Sequence, residues 1–384
     1  MAARDVIIVG GGVIGCAIAY YLTDAGVQVT ILERGEIGGE ASGASAGILA
    51  PLELSVEQGP LLNLCLAGMQ LHPSLADSLR EQTDIDVEYL RSGILRVALS
   101  DEEADDLHTL VERQRPQGAM QWVDAEALRR LEPRLAAARG GVYSPHLHQV
   151  NAHRLTQALA QASVARGATL RQGVAVRGFV TNGSRVSGVR IDDGRMTAGQ
   201  VILAAGAWTA ALGRRLGVAL PVKPMRGQML AFADFSSPLR HILLGEDRGY
   251  LAPKVNGFLF VGSTVEDVGF RKNTTAKGLA SLRRMAASLV PSLAYAEVAS
   301  DWAGLRPGSP DDLPILGPVP GWEGLSVASG HFRKGILLAP ITGRLMAQWL
   351  TQGKSEISLE PFRPDRFAAG GSQNPASRPK DEAL

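Results

Sequence analysis

The chain has only two cysteines in 384 residues, Cys16 and Cys65, too few for a disulfide framework. Cys16 falls in a helical pattern, where a small buried hydrophobe is expected, and the pair fits a reducing cytoplasm. Net charge is also nearly absent: 39 Lys and Arg face 38 Asp and Glu, leaving +1 at pH 7. That balance gives no reason to expect nucleic acid or an anionic membrane surface. No apolar run is long enough to span a bilayer, because the stretch 335–350 is short and carries Arg344. The apolar N-terminus lacks the continuous h-region and cleavage site of a signal peptide. No repeat of fixed period occurs. His146 and His148 form H-x-H without further ligands clustered nearby, so no metal centre is expected. What is left, 45% hydrophobic and 20% charged residues, is ordinary for a globular protein, and the length implies two domains.

The most informative stretch comes first. Asp5-Val-Ile-Ile-Val reads as a short buried strand that runs into Gly10-Gly-Gly-Val-Ile-Gly15. Ile14, Ile18 and Leu22 then recur at helical spacing, Gly26 ends the helix, and Val27, Val29 and Ile31 alternate up to Glu33. Strand, G-x-G-x-x-G, helix, strand and acid in that order make a dinucleotide site. Gly10 allows the tight turn, Gly12 lets backbone N–H groups approach a pyrophosphate, and Gly15 lets helix pack on strand. The start of the helix, around Val13 and Ile14, faces the phosphates. Glu33, 18 residues after Gly15, can accept hydrogen bonds from ribose hydroxyls.

The segment Gly38-Gly-Glu-Ala-Ser-Gly-Ala-Ser-Ala-Gly47 is nearly all small residues. It cannot build a core, but its backbone can lie against a large flat ligand. Helices are expected over 60–82, 101–131, 151–166, 275–290 and 336–350. Strands are expected over 93–99, 169–179, 185–191, 201–205, 228–233, 258–262 and 325–328. The region 222–264 resembles an antiparallel sheet. Buried strands like the first return at 201 and 325, which predicts an α/β fold with a discontinuous nucleotide domain and an antiparallel sheet inserted into it. The expected division is 1–85, 145–221 and 310–352 for the nucleotide domain and 86–144 with 222–309 for the substrate domain. Apolar patterning fades from 363 to 384, which reads as a disordered tail.

Four motifs together resemble the D-amino acid oxidase-like FAD enzymes, and within them the glycine oxidases of thiamine biosynthesis. They are Gly10-Gly-Gly-Val-Ile-Gly15, Ser42-Gly-Ala-Ser-Ala-Gly-Ile48, Trp302-Ala-Gly-Leu-Arg-Pro-Gly308 and Gly330-His-Phe-Arg-Lys-Gly-Ile336. The resemblance covers the chain except its tail. It implies a Rossmann-like FAD-binding domain, FAD as cofactor, and oxidation of a small amino acid or amine with molecular oxygen as acceptor. It also implies a homo-oligomer, a tetramer in the family. Some sarcosine oxidase relatives attach flavin through a cysteine near 310–320. This chain has Pro310-Asp-Asp-Leu-Pro-Ile-Leu-Gly317 there, so FAD is expected to bind non-covalently.

By the same resemblance, FAD contacts are expected at the opening motif with Glu33 and Arg34. They are expected next at Ser42, Ala44, Ser45, Gly47 and Ile48, at Val174, and at Ala205, Gly206 and Trp208. The last group runs through Gly330, His331, Phe332, Arg333, Lys334, Gly335 and Ile336. The helix after that turn can place its positive end at the flavin pyrimidine ring.

The resemblance gives Arg306 the substrate carboxylate, and its guanidinium fork suits that task as lysine would not. Tyr250 is expected beside the same carboxylate. Arg333 is expected near the flavin edge and the amine. Val265 is expected as a pocket wall, shorter than the methionine found in some relatives. No acid–base residue is evident, because hydride transfer needs orientation more than proton exchange. Three other readings stay open from the residues: a flavin dehydrogenase feeding a quinone, a non-catalytic FAD-binding protein, and, from the first unit alone, an NAD dehydrogenase.

Overall fold

The computed structural model describes residues 5–51, 59–114, 120–233, 239–245 and 249–367. Two large sheets organise it. The first has six strands in the order Ile315–Pro318, Leu325–Ser329, Gln200–Leu203, Val6–Val9, Val29–Leu32 and Thr169–Arg171. All neighbours are parallel except the antiparallel outer pair Ile315–Pro318 and Leu325–Ser329. Val6–Val9 and Gln200–Leu203 are buried at every residue, as strands covered on both faces must be.

The two faces are covered differently. Val6 and Ile8 point to the helices Val13–Asp24, Pro60–Thr83, Ala152–Ala165 and Gly335–Gln352, while Ile7 and Val9 point to the small sheet carrying Phe179, Val186 and Val189. Two helices from opposite ends of the chain cross closely at Gly343. A Cβ there would lie 2.6 Å from the Ala17 carbonyl.

The second sheet has eight strands in the order Val298–Gly308, Lys223–Phe232, Leu259–Gly262, Tyr250–Pro253, Ile242–Leu244, Ile94–Ala98, Gly140–Ser144 and Gln121–Asp124. It is antiparallel except for the parallel pair Ile242–Leu244 and Ile94–Ala98. One face packs Leu95, Leu251 and Val261 with Leu282, Ala286 and Leu289 of the helix Ala276–Leu289. The opposite face carries Ile94, Leu244, Tyr250 and Met229 towards Ala46, Ile48 and Ala50 of the small-residue segment.

Three expectations change. The helix expected over 101–131 is the helix Asp101–Gln114, the strand Gln121–Asp124 and the helix Ala125–Leu131. Pro116 and Gly118 stand between the first two, and both oppose a continuous helix. The strand expected over 169–179 is Thr169–Arg171 and Val176–Asn182, in different sheets, with Gly173 at φ 72° between them. The tail expected from 363 begins with an ordered turn, Pro364–Phe367, in which Arg366 pairs with Asp311 at 2.8 Å. The rest of that stretch, 368–384, lies outside the described residues.

Candidate active site

The loops at the carboxyl ends of the first sheet's strands and one face of the second sheet enclose a cleft of about 440 Å³. In open parallel sheets, ligands bind in that position. All the expected cofactor positions line the cleft except Gly15, Gly330 and Lys334.

Gly15 has a packing role instead: a Cβ there would sit 2.0 Å from the Gly10 carbonyl oxygen. Gly330 takes φ +75° in the late turn, which favours glycine. Lys334 stands at the N-cap of Gly335–Gln352, outside the cleft lining. The room around the first glycines separates their tasks. Gly10 has φ +116° and no space for a Cβ, which would meet the Ala204 carbonyl oxygen at 2.4 Å. A Cβ on Gly12 would meet a single close neighbour, the side-chain oxygen Ser42 Oγ, at 3.3 Å.

Helix Val13–Asp24 has no side-chain cap from its own N-cap residue, Gly12. The Val13 N–H donates to Ser42 Oγ at 2.9 Å instead, tying the small-residue segment to the helix start. The other first-turn N–H groups lack intrahelical acceptors by geometry, which suits an anion. Glu33 accepts from the Gly11 N–H at 2.7 Å and the Gly35 N–H at 2.8 Å. Each carboxylate oxygen keeps a second acceptor site for a hydroxyl. Beyond it, the Arg34 guanidinium lies 3.6 Å over the Trp208 ring and pairs with Glu40 at 3.0 Å.

The small-residue segment is ordered by partners remote in sequence. Trp302 Nε1 donates to the Ala44 carbonyl at 3.0 Å. Lys254 Nζ donates to the Ala46 carbonyl and to Gln149 Oε1 at 2.6 Å. Burial pushes the Lys254 ammonium down to about 7.

The second sheet supplies the other wall. Arg306 lies deep but keeps accessible surface in the cleft. Its Nη1 donates to the Thr264 carbonyl at 3.1 Å and its Nη2 to Ser263 Oγ at 2.6 Å. Three of its five N–H donors remain for a ligand. Burial lowers its pKa, and interaction with Tyr250 offsets part of that.

A Cβ on Gly227 would lie 2.1 Å from Nη1, so the guanidinium rests directly on that glycine's backbone. Behind it, Thr264 Oγ1 donates to Glu266, which also accepts from Gln228 Nε2 at 2.7 Å and pairs with Arg226. Burial acts to raise the Glu266 pKa, but these hydrogen bonds outweigh it and hold the carboxyl below its usual range.

The Tyr250 hydroxyl donates to Met229 Sδ at 3.0 Å. Burial raises its pKa, while Arg306 and Ser263 pull it back, so the group stays a neutral O–H. His331 is 2% exposed, with Nε2 3.1 Å from Thr342 Oγ1. Its Nδ1 has no hydrogen-bond partner among the described residues. Burial pushes its pKa down to about 3, so it is a neutral imidazole. Arg333 lines the cleft beside it.

Val265 does not line the cleft and is 39% exposed. Thr264 and Glu266 hydrogen-bond to each other, and their N–H groups pair with Gln228 and Arg226. Those two side chains share the face of Gln228 and Arg226, opposite Met229, so Val265 falls on the cleft's side of the sheet but stands outside its lining. The sequence reading missed Arg96, Met229, Leu244 and Ser263, all lining residues. Strand alternation put Met229 and Arg96 on one face each, but only the pairing of distant strands says which face meets the cleft. Cys16 and Cys65 are buried and unpaired, and burial raises both thiol pKa values, that of Cys65 to about 12. No cluster of metal-binding side chains occurs among the described residues.

Residues 5–349 match the family described as FAD dependent oxidoreductase. The chain is 37% identical to a glycine oxidase of Pseudomonas putida, over 94% of this chain and 99% of that protein. It is 38% identical to a glycine oxidase of Geobacillus kaustophilus, over 93% of this chain and 96% of that one. The crystal structure of glycine oxidase from Geobacillus kaustophilus superposes with a TM-score of 0.90, covering 94% of this chain and 98% of that one at 37% identity.

Proposed function

The chain belongs to the FAD-dependent oxidoreductase family, and from that premise we propose that it is an FAD-dependent glycine oxidase. It oxidises glycine, and sarcosine or other small amines and D-amino acids, to the imino acid. Oxygen is the acceptor, and the products are glyoxylate, ammonia and hydrogen peroxide. The imine suits thiazole formation in thiamine biosynthesis, since bifunctional ThiO/ThiG proteins match 97% of this chain at 34% identity. We read the molecule further as cytoplasmic and as a homo-oligomer, a tetramer by family resemblance. Two buried, unpaired cysteines support the reducing compartment. No described helix is long and apolar enough to cross a membrane.

The residues fit FAD. Gly12 leaves room for a pyrophosphate at the helix start, Glu33 keeps acceptors for a ribose, and Arg34 with Trp208 forms a flat wall for a base. Bound there, FAD would supply the hydride acceptor for the substrate carbon and the route for electrons to oxygen. The start of helix Gly335–Gln352 sits at the cleft, where its dipole favours negative charge.

Arg306 carries the reading. A buried guanidinium, already anchored by Ser263 and Thr264, has its remaining fork in the cleft and matches a carboxylate. The neutral Tyr250 hydroxyl can turn from Met229 to donate to the same anion. Arg306 and Arg333 together disfavour an ammonium nearby, so the substrate amine is held neutral, as loss of hydride requires. His331 takes no proton near neutral pH. Met229, Leu244 and Ile48 provide apolar wall that limits water.

The test is anaerobic mixing of the yellow protein with glycine or sarcosine, followed by air. Bleaching, return of colour and one peroxide per turnover are expected. Failure of both compounds to bleach the flavin would overturn the glycine reading. Bleaching with little peroxide would place the electrons on a quinone instead.

A further inference from the structure

We propose that Lys254 is a positioning residue for the flavin: from behind the cofactor wall its ammonium holds the small-residue segment in place, so that its charge sets how firmly FAD is kept. The inference rests on the reading that FAD lies along that segment, and not on which amine is oxidised.

The segment has to be held from outside. Residues 44–48 line the cleft, yet Ala44-Ser-Ala-Gly-Ile48 has little side chain by which to anchor itself. Two donors from the second sheet and its flank grip the backbone instead. Trp302 Nε1 donates to the Ala44 carbonyl at 3.0 Å, and Lys254 Nζ donates to the Ala46 carbonyl. Phe260 contacts both donors, its ring 4.9 Å from that of Trp302 and 5.3 Å from the ammonium.

The ammonium is itself bracketed. Gln149, 1% exposed, accepts from Nζ at 2.6 Å and donates through Nε2 to the Pro253 carbonyl at 2.9 Å. Its backbone pairs with Ile48 in a two-stranded sheet formed by Ile48–Leu49 and His148–Gln149. Lys254 therefore joins the second sheet, that small sheet and the cofactor wall at one point. An aliphatic residue there would leave two acceptors without this donor.

The surroundings make the charge a variable. The segment brings no titratable group, and the second sheet faces the ammonium with Phe260. His148, next to Gln149, packs on the Tyr89 ring instead. Glu88, the acid that acts on Lys254, is already paired with Arg154 at 3.2 Å and accepts from Asn151 Nδ2 at 3.0 Å. His153 and Arg154, both exposed, line a second cavity of about 340 Å³ together with Lys254. Ser45 and Ala46 line this cavity as well as the cleft, so the segment is the partition between them. Water entering past His153 and Arg154 can take the proton. Burial brings the ammonium down to about 7, so both forms occur near neutral pH. The charged form makes the stronger hydrogen bonds, and a segment held more firmly keeps FAD longer. By linkage, bound FAD then favours the charged form.

The test is made on the holoprotein. FAD release after dilution is followed by the rise in flavin fluorescence, with the visible spectrum of the bound flavin recorded alongside. Release from the unaltered protein is expected to quicken about 10-fold from about pH 6 to about pH 9, with a midpoint above 7. Lys254→Met should release fast at both ends, and Lys254→Arg slowly at both, since a guanidinium keeps its charge. His153→Gln should leave the profile as it is. Release independent of pH in the unaltered protein, a profile that survives Lys254→Met or Lys254→Arg, or one that His153→Gln abolishes, overturns the proposal. The cofactor-site reading fails separately: a Glu33→Ala variant that keeps FAD as the parent does would remove FAD from this cleft, whatever Lys254 does.

Discussion

Adding a single methyl group at Gly227 should disable the carboxylate site without touching a substrate-binding side chain. The Cβ of Gly227→Ala would lie 2.1 Å from Arg306 Nη1, 2.3 Å from Nη2 and 2.4 Å from Cζ. Ordinary carbon contacts need about 3.5 Å, so the guanidinium must retreat by on the order of 1 Å. That movement breaks the 2.6 Å bond to Ser263 Oγ and the 3.1 Å bond to the Thr264 carbonyl. It also carries the fork out of line with a carboxylate.

Hydrogen bonds to charged groups contribute about 1.5–3 kcal/mol, so losing the substrate contact should raise KM roughly 10- to 150-fold. The chain should still fold, because the clash is with the end of a flexible side chain. It should still be yellow, because Glu33 and Ser42 are remote from the change. The assay is anaerobic titration with glycine, following flavin bleaching. The same variant made in an Arg306→Ala background should add almost nothing, since the two changes act through one group. A KM within twofold of the parent, or full additivity with Arg306→Ala, would refute the reasoning.

Glu33→Ala removes the acceptor of two backbone N–H groups and of the proposed ribose contact. Flavin should dissociate on dilution or gel filtration and be recovered by added FAD, and a variant that stays stoichiometrically yellow contradicts this. Acid should destabilise the fold through His72, which burial pushes down to about 4. The unfolded chain binds that proton near pH 6.5 and the folded chain only near 4, so stability falls as pH drops through this window. The full effect is on the order of 3 kcal/mol. Denaturant midpoints at pH 7 and pH 4 should converge in His72→Leu relative to the parent, and an unchanged gap removes His72 as the cause.

What could be read from the residues divides along a physical line. Gly10, Gly12 and Gly15 announce themselves because each meets a local need, a turn, an approach or a packing contact, within one βαβ unit. Arg306 was legible through its motif, and its anchors were not: Ser263 and Thr264 reach it only through pairing of Lys223–Phe232 with strands on both sides. Arg96 was invisible for the same reason, since its face is decided by Ile242–Leu244, far along the chain. Val265 falls on the cleft's side of the sheet, since Thr264 and Glu266 turn to Gln228 and Arg226, yet it stands exposed outside the lining, which no motif position tells. The over-long helix at 101–131 shows the opposite fault, a periodic pattern carried through Pro116 and Gly118.

The first sheet has a consequence for how the protein comes to exist. Gln200–Leu203 lies between Val6–Val9 and Leu325–Ser329, so its outer side stays an unpaired edge until the last strands have been made. The helix start at Gly12 and the turn at His331 bracket one cleft from opposite ends of the chain. A ribosome-bound chain can assemble the βαβ unit and much of the second sheet, but not the cleft. Cofactor capture is then a late event, after Leu325–Ser329 and the turn at His331 have emerged, and the exposed edge of Gln200–Leu203 is the point where a stalled or truncated chain would aggregate.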